Sequence, residues 1–479
     1  MSEPDRYETP LATRYASPAM QRVWSEHHRS LTWRRLWVAL AETQHALGLA
    51  IPDEALRQMR ARVDHADPAE VRRHEARLRH DVMAHIHHFG DQAPAARPFL
   101  HLGATSAFVT DNADLILMRE AIGLLLSRLI AVVRAQTEFA TRHWATPTVA
   151  YTHFQPAQLT TVGKRATLWL QDFLFDAMTL QRLWQEMPFR GCKGTTGTQA
   201  SYLELFNGDH AKVQELDRRV AAAFHFARTI PVSGQTYTRK IDSWVLDALG
   251  GIAQSSAKFS TDLRLLQHEG EILEPVERDQ VGSSAMPYKR NPMRSERITS
   301  LARHILSQQA SAHHTAATQW LERTLDDSAV RRLAIPESFL ATDAILVLCS
   351  NVASGLEVIE PVVRRNVVRV MPFMATERWL MLGVAAGGDR QALHEVIRRH
   401  AWAVSDAVAQ GAPNDLIDRL AKDPAFAAVD VAALRAELDP TRYIGRAAQQ
   451  VTEFLDGPVS SSLEALRPFE ATHEASVTV

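Results

Sequence analysis

The sequence DNADLILMREAIGLLLSRLIAVVRAQTEFATRHW, residues 111–144, decides the fold class of this chain. Its apolar residues recur at helical spacing, and no proline interrupts them before Pro147. The pattern predicts one helix about three times the usual length, begun by the capping residues Thr110 and Asp111. The apolar side is wide, since residues 124–126 are three consecutive leucines. Such a helix needs other helices to bury it, so we expect a helical bundle.

Four more long helical stretches follow, each bounded by proline, glycine or capping residues, at about residues 156–186, 240–269, 292–321 and 336–358. Shorter helices with frequent breaks fill the first hundred residues and the segment after Pro361. The prediction is an all-α fold with an N-terminal helical domain at 1–105, a central bundle of five long helices at 106–358 and a C-terminal helical domain at 359–479. The wide apolar faces also predict homo-oligomerisation.

Composition limits the function classes. The chain has 479 residues, 46% of them hydrophobic, with a formal charge of -2, which argues against a polybasic nucleic-acid binder. Cys192 and Cys349 have neither disulfide-framework nor metal-type spacing, so we expect a reducing cytoplasm. The first six residues do not resemble the start of a signal peptide, and no uncharged stretch has the length of a membrane span. The tail after about Pro468 is expected to be frayed.

Residues 282–292, GSSAMPYKRNP, combine a flexible start, a cationic middle and a terminating proline. A glycine followed by Ser283 and Ser284 supplies hydroxyls on a backbone free to adopt unusual dihedral angles. Lys289 and Arg290 supply positive charge, which makes a serine alkoxide less costly to form. The pattern indicates a mobile catalytic loop, although composition alone is more typical of a solvated connection between helices.

This loop resembles the signature loop of the fumarase, aspartase and argininosuccinate lyase superfamily, Gly-Ser-Ser-x-Met-Pro-x-Lys-x-Asn-Pro, at every position. Its continuation to residue 297 is similar to the adenylosuccinate lyase family, in the form found in animals and some bacteria. Four further blocks carry the same resemblance, at residues 13–17, 101–106, 152–158 and 323–328. The resemblance therefore extends over nearly the whole chain.

The resemblance implies an enzyme of purine nucleotide biosynthesis that needs no cofactor. The implied reactions release fumarate from adenylosuccinate to give AMP, and from succinylaminoimidazole carboxamide ribotide (SAICAR) to give AICAR. The implied assembly is a homotetramer in which three subunits contribute to each active site. The partners are then small succinyl nucleotides, with neither nucleic acid nor membrane involved.

Elimination of fumarate needs a base, an acid and a group that stabilises the carbanion. By its place in the superfamily pattern, Ser283 is the expected base, with Ser284 as the alternative. Lys289 is expected to stabilise the intermediate. His153 lies in a turn before a helix expected to begin at Pro156, and it is the expected proton donor to the leaving nitrogen. Glu296 is expected to pair with His153 and orient it.

A succinyl nucleotide carries about four negative charges, so its site needs arginine and hydroxyl donors. Ser328 and Arg332 are four residues apart, on one face of an expected helix whose N-terminus would favour a phosphate. With the resemblance added, the expected substrate-binding residues are Arg14, Tyr15, Arg79, His80, Asp81, Thr105, Ser106, Gln235, Asn291, Arg297, Arg323, Ser328 and Arg332.

Other readings of these motifs remain open. The histidine-rich residues 74–88 suggest a metal, but the paired-histidine glutamate motif is absent, so we expect no metal site. Residues 191–198, GCKGTTGT, lack the Walker A spacing and are expected to form an irregular connection near the active site. The alternative functions are another fumarate-releasing lyase of the argininosuccinate lyase type and a catalytically silent helical scaffold.

Overall fold

The structure is a computed structural model that describes residues 7–471, of which helices form the great majority. Two small antiparallel ladders are the strands in this range: β1 (Pro147–Thr152) pairs with β2 (Gln155–Thr161), and β3 (Ile272–Leu273) pairs with β4 (Glu357–Val358). The predicted all-α fold class is therefore confirmed.

The N-terminal part consists of five short or medium helices. They are α1 (Pro18–Val23), α2 (Glu26–Ala46), α3 (Asp53–Arg62), α4 (Pro68–Leu78) and α5 (Asp81–Gln92). A single π-helical turn, Leu11–Tyr15, precedes them. Helix α2 is buried along much of its length, so this part packs directly against the long helices.

Five long helices form the centre of the molecule, as predicted. They are α6 (Ser106–Arg142), α7 (Val162–Glu186), α10 (Lys240–His268), α11 (Met293–Thr318) and α12 (Asp327–Ser354), with the short α8 (Ala200–Leu205) and α9 (His210–Ala223) between them. Their buried faces form one continuous hydrophobic core, which also includes residues of α18 and α19 introduced below. Helix α12 is apolar enough to cross a membrane, but 83% of its most apolar stretch is buried inside the protein, as in a core helix.

Three predicted helix starts are wrong. Helix α6 begins at Ser106, so Asp111 lies inside it and is buried instead of capping it. Helix α7 begins at Val162, because the residues after Pro156 extend strand β2. Helix α12 begins at Asp327 and continues through Pro336. Burial of the residues that flank Pro336 stabilises the helix there, despite the backbone hydrogen bond that a proline removes.

The C-terminal part consists of seven helices. They are α13 (Glu360–Met374), α14 (Thr376–Ala385), α15 (Arg390–Ala409), α16 (Leu416–Lys422), α17 (Val431–Ala436), α18 (Ala447–Phe454) and α19 (Ser460–Leu466). Residues 375–434 contain a separate small core around Trp379, whereas α18 and α19 pack on the main core. The predicted domain boundaries stay a prediction.

The expected fraying after Pro468 is wrong for the next two residues. Phe469 packs edge-on against Trp184, with ring centroids 4.9 Å apart, and Glu470 forms an ion pair with Arg134 at 2.5 Å. The rest of the expected tail, residues 472–479, and the N-terminal residues 1–6 considered for a signal peptide lie outside the described residues.

Candidate active site

A cavity of about 500 Å³ lies where the N-terminal helices meet the starts of α6, α10 and α12. Eight residues predicted to bind the substrate line it, although they come from four separate parts of the sequence: Arg79, His80, Asp81, Ser106, Gln235, Arg323, Ser328 and Arg332. Arginines and hydroxyl groups are concentrated among them, which suits an anionic ligand.

Helix α5 presents His80 and Asp81 to the cavity from its N-terminus. The Nδ1 atom of His80 caps the helix by accepting a hydrogen bond from the backbone N–H of Met83 at 3.3 Å. In a neutral ring the proton is then on Nε2, so His80 can donate from that atom. Asp81 forms a 3.0 Å ion pair with Arg332, which joins this helix to α12.

The N-terminus of α6 lies beside the same cavity. Thr105 is its N-cap residue, but the Thr105 side chain makes no capping hydrogen bond. Its Oγ1 atom is buried and has no partner among residues 7–471. The adjacent Ser106 lines the cavity. Together these two hydroxyls and the first amides of the helix form a group of donors suited to a carboxylate.

Buried ion pairs support the floor of the cavity. Arg239, at the start of α10, donates from Nε to Asp327 at 2.6 Å and from both terminal nitrogens to Asp111 at 3.2 Å each. Asp327 also accepts from Arg323 at 2.9 Å. Burial alone would raise the pKa of Asp111, but Arg239, Arg331 and Arg190 outweigh burial and hold this pKa below its usual value.

A second arginine, Arg331, joins the same helices. It contacts Asp114 of α6 at 2.9 Å and Asp242 of α10 at 2.7 Å, and it also donates to the hydroxyl of Tyr237. Burial would lower the pKa of Arg331, yet the carboxylates around it, led by Asp242, raise it well above its usual value. These arginines therefore remain charged, with their charge largely neutralised by aspartates.

The acidic half of these ion pairs was not predicted from the sequence. Asp111 was expected to be a helix cap, although it lies among buried apolar residues of α6. A charged residue on the apolar face of a helix is itself a signal for a buried ion pair, because isolated buried charges are rare. Other unpredicted residues also line the cavity: Trp24, Arg29, Trp33, Glu75, Asp114, Arg239, Asp327 and Arg331.

The loop of residues 282–292 folds back on itself. Asn291 donates from its amide to the carbonyl of Gly282 at 2.7 Å, and Gln267 of α10 donates to the carbonyl of Arg290 at 2.6 Å. A Cβ atom at Gly282 would lie 2.2 Å from the carbonyl oxygen of Lys289, so only glycine fits there. The loop is thus closed at its base and exposes Lys289.

Ser283 occupies a distinct position within this loop. Its Oγ atom accepts hydrogen bonds from the backbone N–H groups of Met286 at 3.0 Å and Ala285 at 3.3 Å. Amide donors that point at a hydroxyl oxygen also stabilise the corresponding alkoxide. Among the residues described, no such pair of donors serves Ser284.

His153 lies at the tip of the β1–β2 hairpin, not directly before a helix as predicted. The two-residue turn consists of His153 and Phe154, with φ angles of 52° and 59°. Two positive φ angles define a turn that usually contains asparagine and glycine. Both residues are exposed, so the hairpin presents the imidazole outward from this chain.

Nine predicted residues do not line the cavity of the single chain: Arg14, Tyr15, Thr105, His153, Ser283, Lys289, Asn291, Glu296 and Arg297. Arg297 of α11 stacks on the ring of Tyr15 at 5.5 Å, which joins two of them. Glu296 is exposed in the first turn of α11, and the described part of one chain contains no hydrogen bond between it and His153.

Two further predictions concerned the glycine-rich residues 191–198 and the histidine-rich segment. Residues 191–198 form the expected irregular connection, and Gln235 donates to the carbonyl of Thr195 at 3.1 Å. In the histidine-rich segment, His85 packs edge-on against Trp33 at 4.8 Å. Within residues 7–471, no three His, Cys, Asp or Glu side chains form a group that could hold a metal ion.

Comparisons with solved structures identify the fold. A 3-carboxy-cis,cis-muconate lactonizing enzyme from Pseudomonas putida is similar with a TM-score of 0.81 at 22% identity, over 97% of this chain and 100% of that one. A fumarate lyase from Mesorhizobium sp. BNC1 gives 0.79 at 24% identity, over 94% and 100%. A family model described as lyase matches residues 22–307. Fold and family model together define the chain as a lyase of this helical class.

Sequence comparisons are more specific. A model described as adenylosuccinate lyase C-terminus matches residues 372–454. Adenylosuccinate lyases from Saccharomyces cerevisiae and Schistosoma mansoni are 47% and 43% identical, each over 98% of both chains. One from Pyrococcus abyssi is 30% identical over 92% of this chain and 96% of its own. The chain belongs to the adenylosuccinate lyase family, and it is an enzyme of the carbon–nitrogen lyase class.

Proposed function

We propose that this enzyme eliminates fumarate from adenylosuccinate to give AMP and, at the same site, from SAICAR to give AICAR. The observation that carries the proposal is that eight predicted ligand-binding residues from four parts of the sequence converge on one cavity. Membership of the family supports the same reaction.

Two groups of residues at or beside the cavity suit the two anionic ends of a succinyl nucleotide. Ser328 and Arg332 lie in the first turns of α12 and Arg323 lies four residues before it, so that a helix N-terminus and two guanidinium groups favour a phosphate there. Thr105 and Ser106 lie at the start of α6, where hydroxyl and amide donors favour a succinyl carboxylate. An argininosuccinate-type substrate has no phosphate and would leave the first group unused.

We assign the base to Ser283. In its alkoxide form, which two loop amides would stabilise, the Ser283 oxygen would take the proton from the carbon next to the succinyl carboxylate and become the neutral hydroxyl. Lys289 would stabilise the carbanion as negative charge builds on the carboxylate. The carbon–nitrogen bond then breaks, and His153 would give its proton to the departing nitrogen while Glu296 orients the imidazole.

We infer that the active site is completed in a homotetramer, because the expected acid and base do not line the cavity of one chain. An exposed apolar face on α7 supports assembly: Leu168, Phe175 and Met178 are 45%, 58% and 56% exposed, and their spacing places them on one side of the helix. For location we propose the cytoplasm, and the two buried free cysteines are consistent with a reducing compartment.

Purified protein provides a direct test. Adenylosuccinate and SAICAR should each yield one fumarate per nucleotide product, with fumarate measured by a coupled assay and the nucleotide by chromatography. Argininosuccinate serves as the comparison substrate and should give none. Release of fumarate from argininosuccinate but from neither succinyl nucleotide would replace the proposal with the rival lyase activity, and no release from any of the three would favour a silent scaffold.

A further inference from the structure

We infer that Arg239 is a positioning residue that fixes the spacing between the two anion-binding groups, at the starts of α6 and α12. The inference rests on the proposed function, which places a carboxylate at the start of α6 and a phosphate at the start of α12. Arg239 is not among the residues that the sequence motifs predicted for the site.

The geometry is a continuous series of charged hydrogen bonds at the cavity. Both oxygens of Asp111 accept from Arg239 at 3.2 Å, and Asp327 accepts from Arg239 Nε at 2.6 Å. The other oxygen of Asp327 accepts from Arg323 at 2.9 Å. The guanidinium group of Arg239 therefore joins α6 to α12. The series of hydrogen bonds ends on Arg323, which is expected to bind the phosphate.

Each end of this series of hydrogen bonds is close in sequence to a residue expected to bind the ligand. Asp111 lies five residues after Ser106 on α6, and Asp327 directly precedes Ser328 on α12. The side chains of Arg239, Asp111 and Asp327 are 1%, 2% and 0% exposed. A buried bidentate pair has a fixed geometry, since water cannot replace its hydrogen bonds. The two helix N-termini are consequently held at one separation.

Fixed separation matters most for a ligand bound at both ends. Once the phosphate of a succinyl nucleotide is bound, its succinyl group is held near the carboxylate site. If that site is correctly placed, the second contact forms at a high effective concentration. AMP lacks the succinyl group and fumarate lacks the phosphate, so each uses only one end. A change in spacing should therefore weaken the binding of adenylosuccinate far more than the binding of either product.

The test uses Arg239→Lys, which keeps the charge but cannot bind two carboxylates in the same fork geometry. Affinities for adenylosuccinate, AMP and fumarate are measured by calorimetry in the tetrameric protein with Ser283→Ala, which prevents turnover. Adenylosuccinate should bind roughly 10- to 100-fold more weakly. AMP and fumarate should each change by less than about two-fold, because each local subsite remains intact.

Arg128→Lys is the matched control. Arg128 forms a buried ion pair with Asp343 at 3.4 Å and so joins the same two helices farther from the cavity. This change should leave all three affinities unaltered. Asp111→Asn replaces Arg239→Lys if the latter does not fold, because it removes the charge while preserving the shape.

If the affinities for all three ligands fall together, or if adenylosuccinate binds as before, the positioning role of Arg239 is overturned while the proposed function stands. Failure of the Ser283→Ala protein itself to bind adenylosuccinate would overturn the proposed function and this inference together.

Discussion

Ser283 and Ser284 are chemically identical neighbours, yet only Ser283 accepts two loop N–H groups. Those donors favour the alkoxide and make Ser283 the better base. Ser283→Ala should reduce kcat on adenylosuccinate by roughly 10³-fold or more, whereas Ser284→Ala should reduce it much less. Steady-state kinetics measure the effect, with melting curves as the folding control. Equal losses would leave the base unassigned between the two serines.

His101 makes the free energy of unfolding of this protein depend on pH. Burial, helped by the nearby His80, lowers the pKa of His101 from 6.5 to about 4, and Trp37 donates from Nε1 to His101 Nδ1 at 2.9 Å. Between pH 6.5 and about 4, the unfolded chain therefore binds a proton at His101, whereas the folded chain does not. The contribution of His101 to stability is complete above pH 6.5 and is lost as the pH falls through this window, by about 1.4 kcal/mol per pH unit.

His101→Asn should remove this dependence. The amide oxygen can accept the Trp37 hydrogen bond in place of Nδ1, and asparagine tolerates the φ of 64° at this position. From pH 7.5 to 5.0, wild type should lose about 2 kcal/mol more stability than the variant. Urea unfolding at both pH values and at one protein concentration measures the difference. Identical losses would show that His101 is protonated equally in both states.

At the scale of elements, the β1–β2 hairpin shows how backbone conformation and chemistry can be separated. His153 has a left-handed conformation that asparagine also adopts readily. His153→Asn should therefore keep the hairpin and the melting temperature while kcat falls about 10²- to 10⁴-fold, because the proton donor is lost. Phe154→Gly is the control, since it changes the same turn without removing the imidazole, and it should retain far more activity. Comparable losses in both variants would assign the effect to the turn.

The element boundaries show where sequence patterns are informative. Apolar periodicity predicted all five long helices, because each buries a continuous face. Proline and capping rules placed three of the starts wrongly. Local signals at Asp111 and Pro336 were overridden by tertiary contacts, which bury the aspartate in an ion pair and the neighbours of the proline in the core.

At the scale of the whole molecule, the expected acid and base lie on different elements, and neither lines the cavity of its own chain. If different subunits supply them, mixing inactive Ser283→Ala and His153→Asn proteins should create some sites with both native residues. Dissociation and reassembly of an equal mixture should restore part of the wild-type activity, measured as fumarate release, whereas either variant treated alone should restore none. A mixture that remains inactive although mixed tetramers form would place both residues on one subunit.

The sequence by itself determined the helical class and the five long helices, because these depend on apolar periodicity. It also predicted eight of the residues that line the cavity, through separate motifs that resemble one lyase family. Only the tertiary structure decided which charges meet. Asp111, Arg239 and Asp327 are far apart in the chain and are joined beneath the cavity by folding. Hydrophobic periodicity is a local property of the chain, whereas the pairing of buried charges depends on which helix ends the fold brings together.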